Sequence, residues 1–214
     1  IGLPARGWWP AQTEPGAGVE TLTRMGAGGY ILPIRIVVEV PEGSSATSAT
    51  TLRGLRNLGD SLRADPRIKD VRSLVELEPG ASLLSYSFLY SDLDAARERH
   101  GAFIDAYLST DRRATLLDVV LSDTTSLTSA MEVVQDARDL VASGSIRQLR
   151  DATVHIGGYV AASLDFQDDL LARFPSIILL VLGATAVILA IAFLSVVLPL
   201  TAILMNTFSV AATF

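Results

Sequence analysis

The chain has 214 residues, of which 50% are hydrophobic, and a formal net charge of −6. This acidic balance argues against a nucleic-acid partner, which would need a surface of clustered basic side chains. The chain contains no cysteine, so disulfides, thiolate metal ligands and thiol nucleophiles are excluded.

Residues 1–32 are rich in Gly and Pro and include the adjacent Trp8 and Trp9. Paired tryptophans suit the membrane interface, and they suit equally well a lid packed on a folded domain. We predict a short helix from Val19 to Met25 that ends at a run of glycines. Because the N-terminus has neither a start methionine nor an apolar leader, we interpret residues 1–32 as a connector that follows a membrane helix, and the chain as an internal fragment.

A strand, a helix and a second strand are predicted next. Apolar residues alternate with others from Pro33 to Val40, which indicates a strand with one buried face. A helix follows, because leucines recur at helical intervals until Asp65 and Pro66 end the pattern. These leucines are Leu52, Leu55, Leu58 and Leu62. From Ile68 to Leu77 the alternation returns, and we predict a second strand there.

The segment from residue 82 to 110 has a different pattern. Its apolar residues recur at helical intervals, and Ser91 and Asp94 form a capping-box-like pair. We predict a helical hairpin inserted between the two halves of the domain. Large apolar side chains cluster in it, which predicts either an elongated apolar cleft between the insertion and the sheet or simply a buried core. These side chains are Tyr86, Phe88, Leu89, Tyr90, Phe103 and Tyr107.

The first pattern then repeats. A strand is predicted from Ala114 to Leu121, and a helix cap from Asp123 to Thr125. The helix that follows is predicted to end near Gly144. Thr153 to Ile156 is the last predicted strand. The order β-α-β, insertion, β-α-β predicts an α+β domain over residues 33–160. Its expected arrangement is the ferredoxin-like split β-α-β, with helices on one face of a four-stranded sheet.

The remainder of the chain has the composition of a membrane segment. All 17 Lys and Arg residues lie at or before Arg173, and the stretch after it lacks the polar face of a helix in a soluble protein. A bilayer core about 30 Å thick takes roughly 20 helical residues. We therefore predict a linking helix at 161–173 and a membrane helix at 174–197. A turn at Pro199 would then begin a second membrane helix at 200–214.

No constellation of side chains indicates catalysis, a metal or a cofactor. His100 and His155 have no second histidine at metal-binding spacing, and neither a phosphate loop nor a nucleophile elbow is present. The acidic residues Asp165, Asp168 and Asp169 precede the membrane segment. They predict either a cation or proton site or the solvated face of a helix, which is the commoner use of such a run. We predict that the chain is not an enzyme and binds no cofactor.

The end of the chain resembles a known family. The likeness extends from Ala192 to Ala212, and the residues that carry it are Phe193, Ser195, Pro199, Leu200, Asn206, Ser209 and Val210. Together with the glycine pair Gly157 and Gly158, they resemble the junction of two membrane helices in the mycobacterial membrane protein large (MMPL) family of the resistance-nodulation-division (RND) superfamily. Leu194 and Thr201 stand where that family usually has basic residues.

The resemblance implies a proton-driven exporter of lipids or other hydrophobic molecules. Residues 33–160 would then form a porter domain outside the cytoplasmic (inner) membrane, in a multi-pass protein. The implied partners are the substrate, the bilayer and the rest of the same transporter chain. The family's proton-carrying residues lie in a later membrane helix, so none is expected here. A rival interpretation is an extracytoplasmic sensor or adaptor domain of a permease-like protein that works with a separate ATPase.

Overall fold

The computed structural model describes residues 12–78, 80–122 and 126–193, together with residues 201, 204, 205 and 208. The chain divides into two compact units, Ile1–Leu164 and Asp165–Phe214. The helices and strands occur in the order α1 (Glu14–Arg24), a 3-10 helix (Gly28–Tyr30), β1 (Ile34–Glu39), α2 (Ala49–Arg63), β2 (Ile68–Arg72), α3 (Leu83–Leu89), α4 (Leu93–Tyr107), β3 (Ala114–Leu121), α5 (Leu127–Ala142), a 3-10 helix (Arg147–Leu149), β4 (Thr153–Gly157) and α6 (Tyr159–Phe193).

The strands form one antiparallel sheet in the order β2-β3-β1-β4. The predicted α+β class is therefore confirmed. β1 pairs with β3 from Ile34 opposite Val119 to Glu39 opposite Ala114, and it pairs with β4 on its other side. Because β1 and β3 are central, β2 and β4 form the two edges of the sheet.

One face of the sheet forms the core together with the helices. In β1, Ile34, Ile36 and Val38 are buried whereas Arg35 and Glu39 are exposed, because successive side chains of a strand point to opposite faces. The leucine face of α2 is buried in the same cluster, with side chains from α3, α4 and α5. Each fully buried aliphatic side chain stabilises the fold by about 1.5–3 kcal/mol.

β2 is shorter than the sequence predicts. It ends at Arg72, and the chain then turns at Ser73, whose hydroxyl accepts a hydrogen bond from the N–H of Val75 at 3.4 Å. The prediction of a strand that continues to Leu77 is therefore wrong. Leu74 and Val75 are both buried, although neighbouring residues of a strand point to opposite faces. The turn allows both side chains to enter the core.

The cap of α4 differs from the prediction by one residue. The carboxylate of Asp92 accepts a hydrogen bond from the N–H of Ala95 at 3.1 Å and so caps the helix. The hydroxyl of Ser91 instead donates to the carbonyl of Phe88 at 2.7 Å. The prediction that Ser91 and Asp94 form the capping pair is therefore wrong.

Two other helix starts can be compared with their predictions. α5 is capped by Ser126, whose hydroxyl accepts from the N–H of Ser129 at 3.2 Å; the predicted cap at 123–125 lies outside the described residues. α1 begins at Glu14, earlier than predicted, because Thr13 provides the cap.

The paired tryptophans Trp8 and Trp9 lie outside the described residues.

The second unit is dominated by the long helix α6. Within the described residues, α6 is the one helix that is long and apolar enough to cross a membrane, over Tyr159–Ala192. Its apolar window has a mean hydropathy of 2.6, and none of that window is buried. The predicted turn at Pro199 and most of the segment at 200–214 lie outside the described residues.

Candidate functional site

The aromatic side chains predicted to line a cleft fall into three groups. Tyr86 and Tyr90 belong to the core, with exposed fractions of 1% and 5%. The hydroxyl of Tyr86 donates to the carbonyl of Glu78 at 2.8 Å, and that of Tyr90 to the carbonyl of Leu74 at 2.6 Å. Burial raises the pKa of both hydroxyls. These two tyrosines fix α3 to the turn after β2.

The second group lies on α3. Phe88 is 77% exposed, and Leu89 is half-buried against the core. Neither side chain lines the cavity that is described next.

The third group, Phe103 and Tyr107, lines a cavity of about 740 Å³. Both belong to α4, and their rings stack with centroids 4.6 Å apart. Ala102 and Ala106 extend this wall along the same helix, and Val71 of β2 lies on the strand side. The cavity therefore lies between the edge strand β2 and the predicted insertion. An apolar cleft that includes all six predicted residues stays a prediction.

The wall formed by α2, β2 and the following turn is charged. Arg63 forms an ion pair with Glu76 at 3.1 Å, and it donates to the carbonyl of Val71 at 2.7 Å. Arg72 pairs with Asp70 at 3.4 Å. Each of these two arginines is therefore matched by a carboxylate, so this wall offers donors and acceptors without a net charge.

Two tyrosines connect the cavity to the face of the sheet that carries Arg35. Arg72 donates to the hydroxyl of Tyr30 at 3.0 Å and stacks over its ring at 4.5 Å. Tyr107 donates to Asp118 at 3.1 Å, and Asp118 faces Arg35 at 3.5 Å. Burial, followed by the negative charge of Asp118, raises the pKa of Tyr107 to about 12. Tyr107 is thus held as a neutral hydrogen-bond donor at the end of the aromatic wall.

Sequence reasoning missed the charged wall. The alternation along β2 places Asp70 and Arg72 away from the buried Val71, but it does not indicate what covers them. Arg63 belongs to α2, and Glu76 belongs to the turn for which the sequence predicts a strand. Only the tertiary structure brings these four charges opposite Phe103.

The cavity is suited to binding a molecule. Its carboxylates are paired with guanidinium groups, and none of the described residues that line it is a serine, cysteine or histidine. Within the described ranges, no group of three His, Cys, Asp or Glu side chains could hold a metal ion. An aromatic and alanine wall opposite paired charges suits a molecule with an apolar body and a polar group.

Neither histidine of the chain lines this cavity. His100 lies in α4, at a residue with non-helical dihedral angles, and His155 lies in β4. Asp169 accepts from Arg173 at 2.8 Å along α6. Phe193 is the last residue of α6. The other motif residues, Ser195, Pro199, Leu200, Asn206, Ser209 and Val210, lie outside the described residues.

Comparison with known proteins identifies the family. A model of the MMPL family matches residues 16–214 of the chain. The chain belongs to the MMPL family. No curated protein matches the chain. MMPL proteins are membrane proteins that act in transport, and the chain is therefore a component of an RND-type transporter. The MMPL match extends over both the unit that contains the cavity and the apolar helix α6.

Proposed function

We propose that the chain forms a porter domain and the membrane helix after it in a proton-driven exporter of lipids or other hydrophobic molecules. The family match over residues 16–214 carries this proposal. The membrane is the cytoplasmic one, with the porter domain on its outer side. The substrate, the bilayer and the rest of the transporter are the partners. Family membership does not favour the sensor or adaptor alternative.

The proposed porter domain comprises residues 33–160 and has the ferredoxin-like split β-α-β arrangement. The strand order β2-β3-β1-β4 supports this arrangement, as do α2 between β1 and β2 and α5 between β3 and β4. Residues 82–110 are the proposed insertion and contain α3 and α4. The proposed linking helix at 161–173 and the membrane helix at 174–197 are supported by the continuous course of α6.

We assign the motif at the end of the chain to the hairpin between two membrane helices, as its resemblance to the family junction suggests. Phe193 and Ser195 would lie in the last part of the first helix, and Pro199 would lie in the turn. Leu200, Asn206 and Ser209 would then belong to the second membrane helix at 200–214.

The cavity between β2 and α4 is the proposed place where the substrate contacts the domain. Phe103, Ala106 and Tyr107 supply an apolar wall, and the paired charges of β2 supply polar contacts. An exported lipid has an apolar part for the apolar wall and a polar part for the paired charges. The cavity volume of about 740 Å³ lies in the range of ligand pockets, which are commonly about 300–1,000 Å³.

Filling the cavity tests this function. We expect Ala106→Trp to reduce export about tenfold, which corresponds to about 1.4 kcal/mol of lost binding, because the indole would occupy the space beside Phe103. Export is measured in cells that express the protein, by mass spectrometry of the lipids that reach the outer side. Dissipating the proton gradient with an ionophore should stop export by the wild-type protein.

The matched control is Ala64→Trp, at an exposed alanine that does not line the cavity. It should export like the wild type at equal protein level. Unchanged export by Ala106→Trp would refute the role of the cavity. Export that persists without a proton gradient would refute the proposed energy source.

A further inference from the structure

The charged wall of the cavity holds one arginine with free donor groups. The Nη2 of Arg72 donates to the hydroxyl of Tyr30 at 3.0 Å, and its Nε contacts Asp70 at 3.4 Å. Among the residues that the structure describes, the Nη1 of Arg72 has no partner. The side chain is 50% exposed and lines the cavity. Its free N–H groups are therefore available to an anionic group of a ligand, and a guanidinium group matches a phosphate particularly well.

The carboxylate of Glu76 supplies negative charge in the same cavity. Within the described part of the chain its side chain has one ionic partner, Arg63, at 3.1 Å. Arg63 is shared, since it also donates to Asp60 at 3.3 Å and to the carbonyl of Val71 at 2.7 Å. One guanidinium group thus serves two carboxylates. This end of the wall keeps an excess of negative charge, which favours a cationic group of a ligand.

The aromatic wall has the same preference as Glu76. The rings of Phe103 and Tyr107 stack with centroids 4.6 Å apart, and both line the cavity together with Glu76. The face of an aromatic ring attracts a cation, and the attraction grows when the cation has lost part of its water. An ammonium group in the cavity would therefore meet both a carboxylate and aromatic rings.

We propose that this cavity selects lipids whose headgroup carries both a phosphate and an amine, as in a zwitterionic phospholipid. The proposal rests on the proposed function, because it takes the cavity to be the place where the substrate contacts the domain. Arg72 holds the phosphate, and Glu76 holds the ammonium group together with the aromatic rings. The first carbons of the acyl chains then lie along Ala102 and Ala106 of the apolar wall.

Other headgroups match this wall less well. An anionic headgroup without an amine binds Arg72 but leaves Glu76 without a positive partner and brings a like charge towards it. The net charge of −6 adds to this repulsion. A headgroup of uncharged hydroxyls takes water away from half-buried charges without replacing it by opposite charge, which is costly. A zwitterionic headgroup meets an opposite charge at both of its ends.

Lipid retention tests this selectivity. The full chain in a non-ionic detergent is incubated with equal amounts of dioleoyl phosphatidylethanolamine, dioleoyl phosphatidylglycerol and dioleoylglycerol, and bound lipid is counted by native mass spectrometry. The three lipids share their acyl chains and differ in the headgroup. We expect the wild-type chain to retain phosphatidylethanolamine about tenfold more than either of the other two. Retention of phosphatidylethanolamine equal to that of either other lipid would overturn the proposal.

Two substitutions in the charged wall should change the selectivity in different ways. Glu76→Gln removes the partner of the ammonium group and should lower the preference for phosphatidylethanolamine over phosphatidylglycerol about tenfold. Arg72→Gln removes the partner of the phosphate and should lower the retention of both phospholipids, with that of dioleoylglycerol unchanged. Circular dichroism checks that each variant is folded. A folded variant of either kind that kept the wild-type preference would overturn the proposal.

Glu98→Gln and Arg99→Gln are the matched controls for these changes of charge. Both residues are exposed on α4 and do not line the cavity. Their variants should retain the three lipids as the wild type does. If the controls changed the preference as much as the substitutions in the wall, the net charge of the chain and not the cavity would select the lipid, which would also overturn the proposal.

Two further measurements separate the headgroup from the lipid and from the proposed function. Free phosphoethanolamine should bind more weakly than the lipid because it has no acyl chains, and equal binding would overturn the assignment to a lipid. Ala106→Trp should lower the retention of all three lipids. If it does so while the wild type does not distinguish headgroups, the headgroup selectivity is wrong and the role of the cavity stands. If Ala106→Trp changes nothing, both are wrong.

Discussion

At the scale of single residues, Tyr107 has a half-buried side chain whose hydroxyl lies beside the negative carboxylate of Asp118. Its hydroxyl donates to Asp118 at 3.1 Å, and burial is the main cause that raises its pKa to about 12. In the unfolded chain a tyrosine has a pKa of about 10. Because the folded pKa is the higher of the two, the stability due to Tyr107 is complete below about pH 10 and is lost as the pH rises through the folded pKa.

The difference between the folded and the unfolded pKa of Tyr107 predicts that the chain loses stability at alkaline pH, and that this loss depends on the Tyr107 hydroxyl. We expect the melting temperature of the wild-type chain to fall more steeply than that of Tyr107→Phe as the pH rises toward about 12. Tyr86 and Tyr90 titrate in both proteins and so do not cause the difference. Circular dichroism in detergent at a series of pH values measures it.

The control for this experiment is the same comparison below about pH 9, where a tyrosine in the unfolded chain is protonated. There the melting temperatures of the wild type and Tyr107→Phe should differ by a constant amount. Parallel curves above about pH 10 as well would contradict the assignment of the pKa shift to a folded environment at Tyr107.

The residues of the cavity could be predicted only in part. Phe103 and Tyr107 stand out in the sequence as large side chains of the insertion, but so do Tyr86 and Tyr90. What separates the two pairs is tertiary: the hydroxyls of Tyr86 and Tyr90 reach backbone carbonyls of the turn after β2. A bond to a distant carbonyl leaves no mark in the sequence, because every residue has a carbonyl.

At the scale of elements, α2 holds the turn that leads from β2 to α3. Arg56 of α2 donates to the carbonyls of Val75 and Ala81, each at 3.2 Å. Its guanidinium group also lies 5.9 Å from the ring of Tyr86. One side chain thus contacts both ends of the segment from Val75 to Ala81.

Removing this side chain should loosen the segment. We expect Arg56→Met to destabilise the chain by about 1–3 kcal/mol, because two carbonyls lose their donors. Hydrogen exchange between Glu76 and Ala81 should rise, and the melting temperature should fall. Hydrogen exchange with mass spectrometry and thermal unfolding in detergent measure the two effects.

Arg53→Met is the matched control, since Arg53 lies one turn earlier on α2 and is exposed. It should leave both measurements close to those of the wild type. If the two substitutions had equal effects, the loss of positive charge and not the two hydrogen bonds would be responsible.

The sequence predicts elements well where burial follows the period of the element. The sequence predicts α2 from its leucine face, because the buried residues recur at helix intervals. It also predicts β3 with its observed bounds, although burial alternates only in the first part of that strand and Val119, Val120 and Leu121 are all buried. The end of β2 could not be predicted in this way, since Leu74 and Val75 are buried one after the other. An apolar turn inside the core has the same composition as a strand. The hydrogen bonds that Ser73 accepts from the N–H groups of Val75 and Glu76 distinguish the two.

At the scale of the whole molecule, charged and apolar residues are separated along the chain. The last basic residue is Arg173, and the helix α6 continues beyond it to Phe193 without a charged side chain. This separation was visible in the sequence because it depends on composition alone. The family match agrees with it, since MMPL proteins are membrane proteins.

A charge placed in α6 should oppose membrane insertion. We expect Ile188→Arg to cost about 2.5–3.5 kcal/mol of insertion free energy, as for an arginine near the centre of a membrane helix. The fraction of the chain that resists alkaline extraction from membranes should fall accordingly. Ala162→Arg, at an exposed residue of α6 before the apolar segment, should extract like the wild type. Equal resistance of Ile188→Arg and the wild type would show that α6 is not held by the bilayer.

The chain has one lysine among its 17 basic residues, and this lysine lies at the edge of the sheet. The amine of Lys69 binds the carbonyl of Gly26 and so connects β2 to the segment after α1. A reagent that acylates side-chain amines therefore finds a single target in this chain, at the one place where β2 is connected to the segment after α1. The rate of acylation thus reports on the environment of this connection without a substitution in the chain.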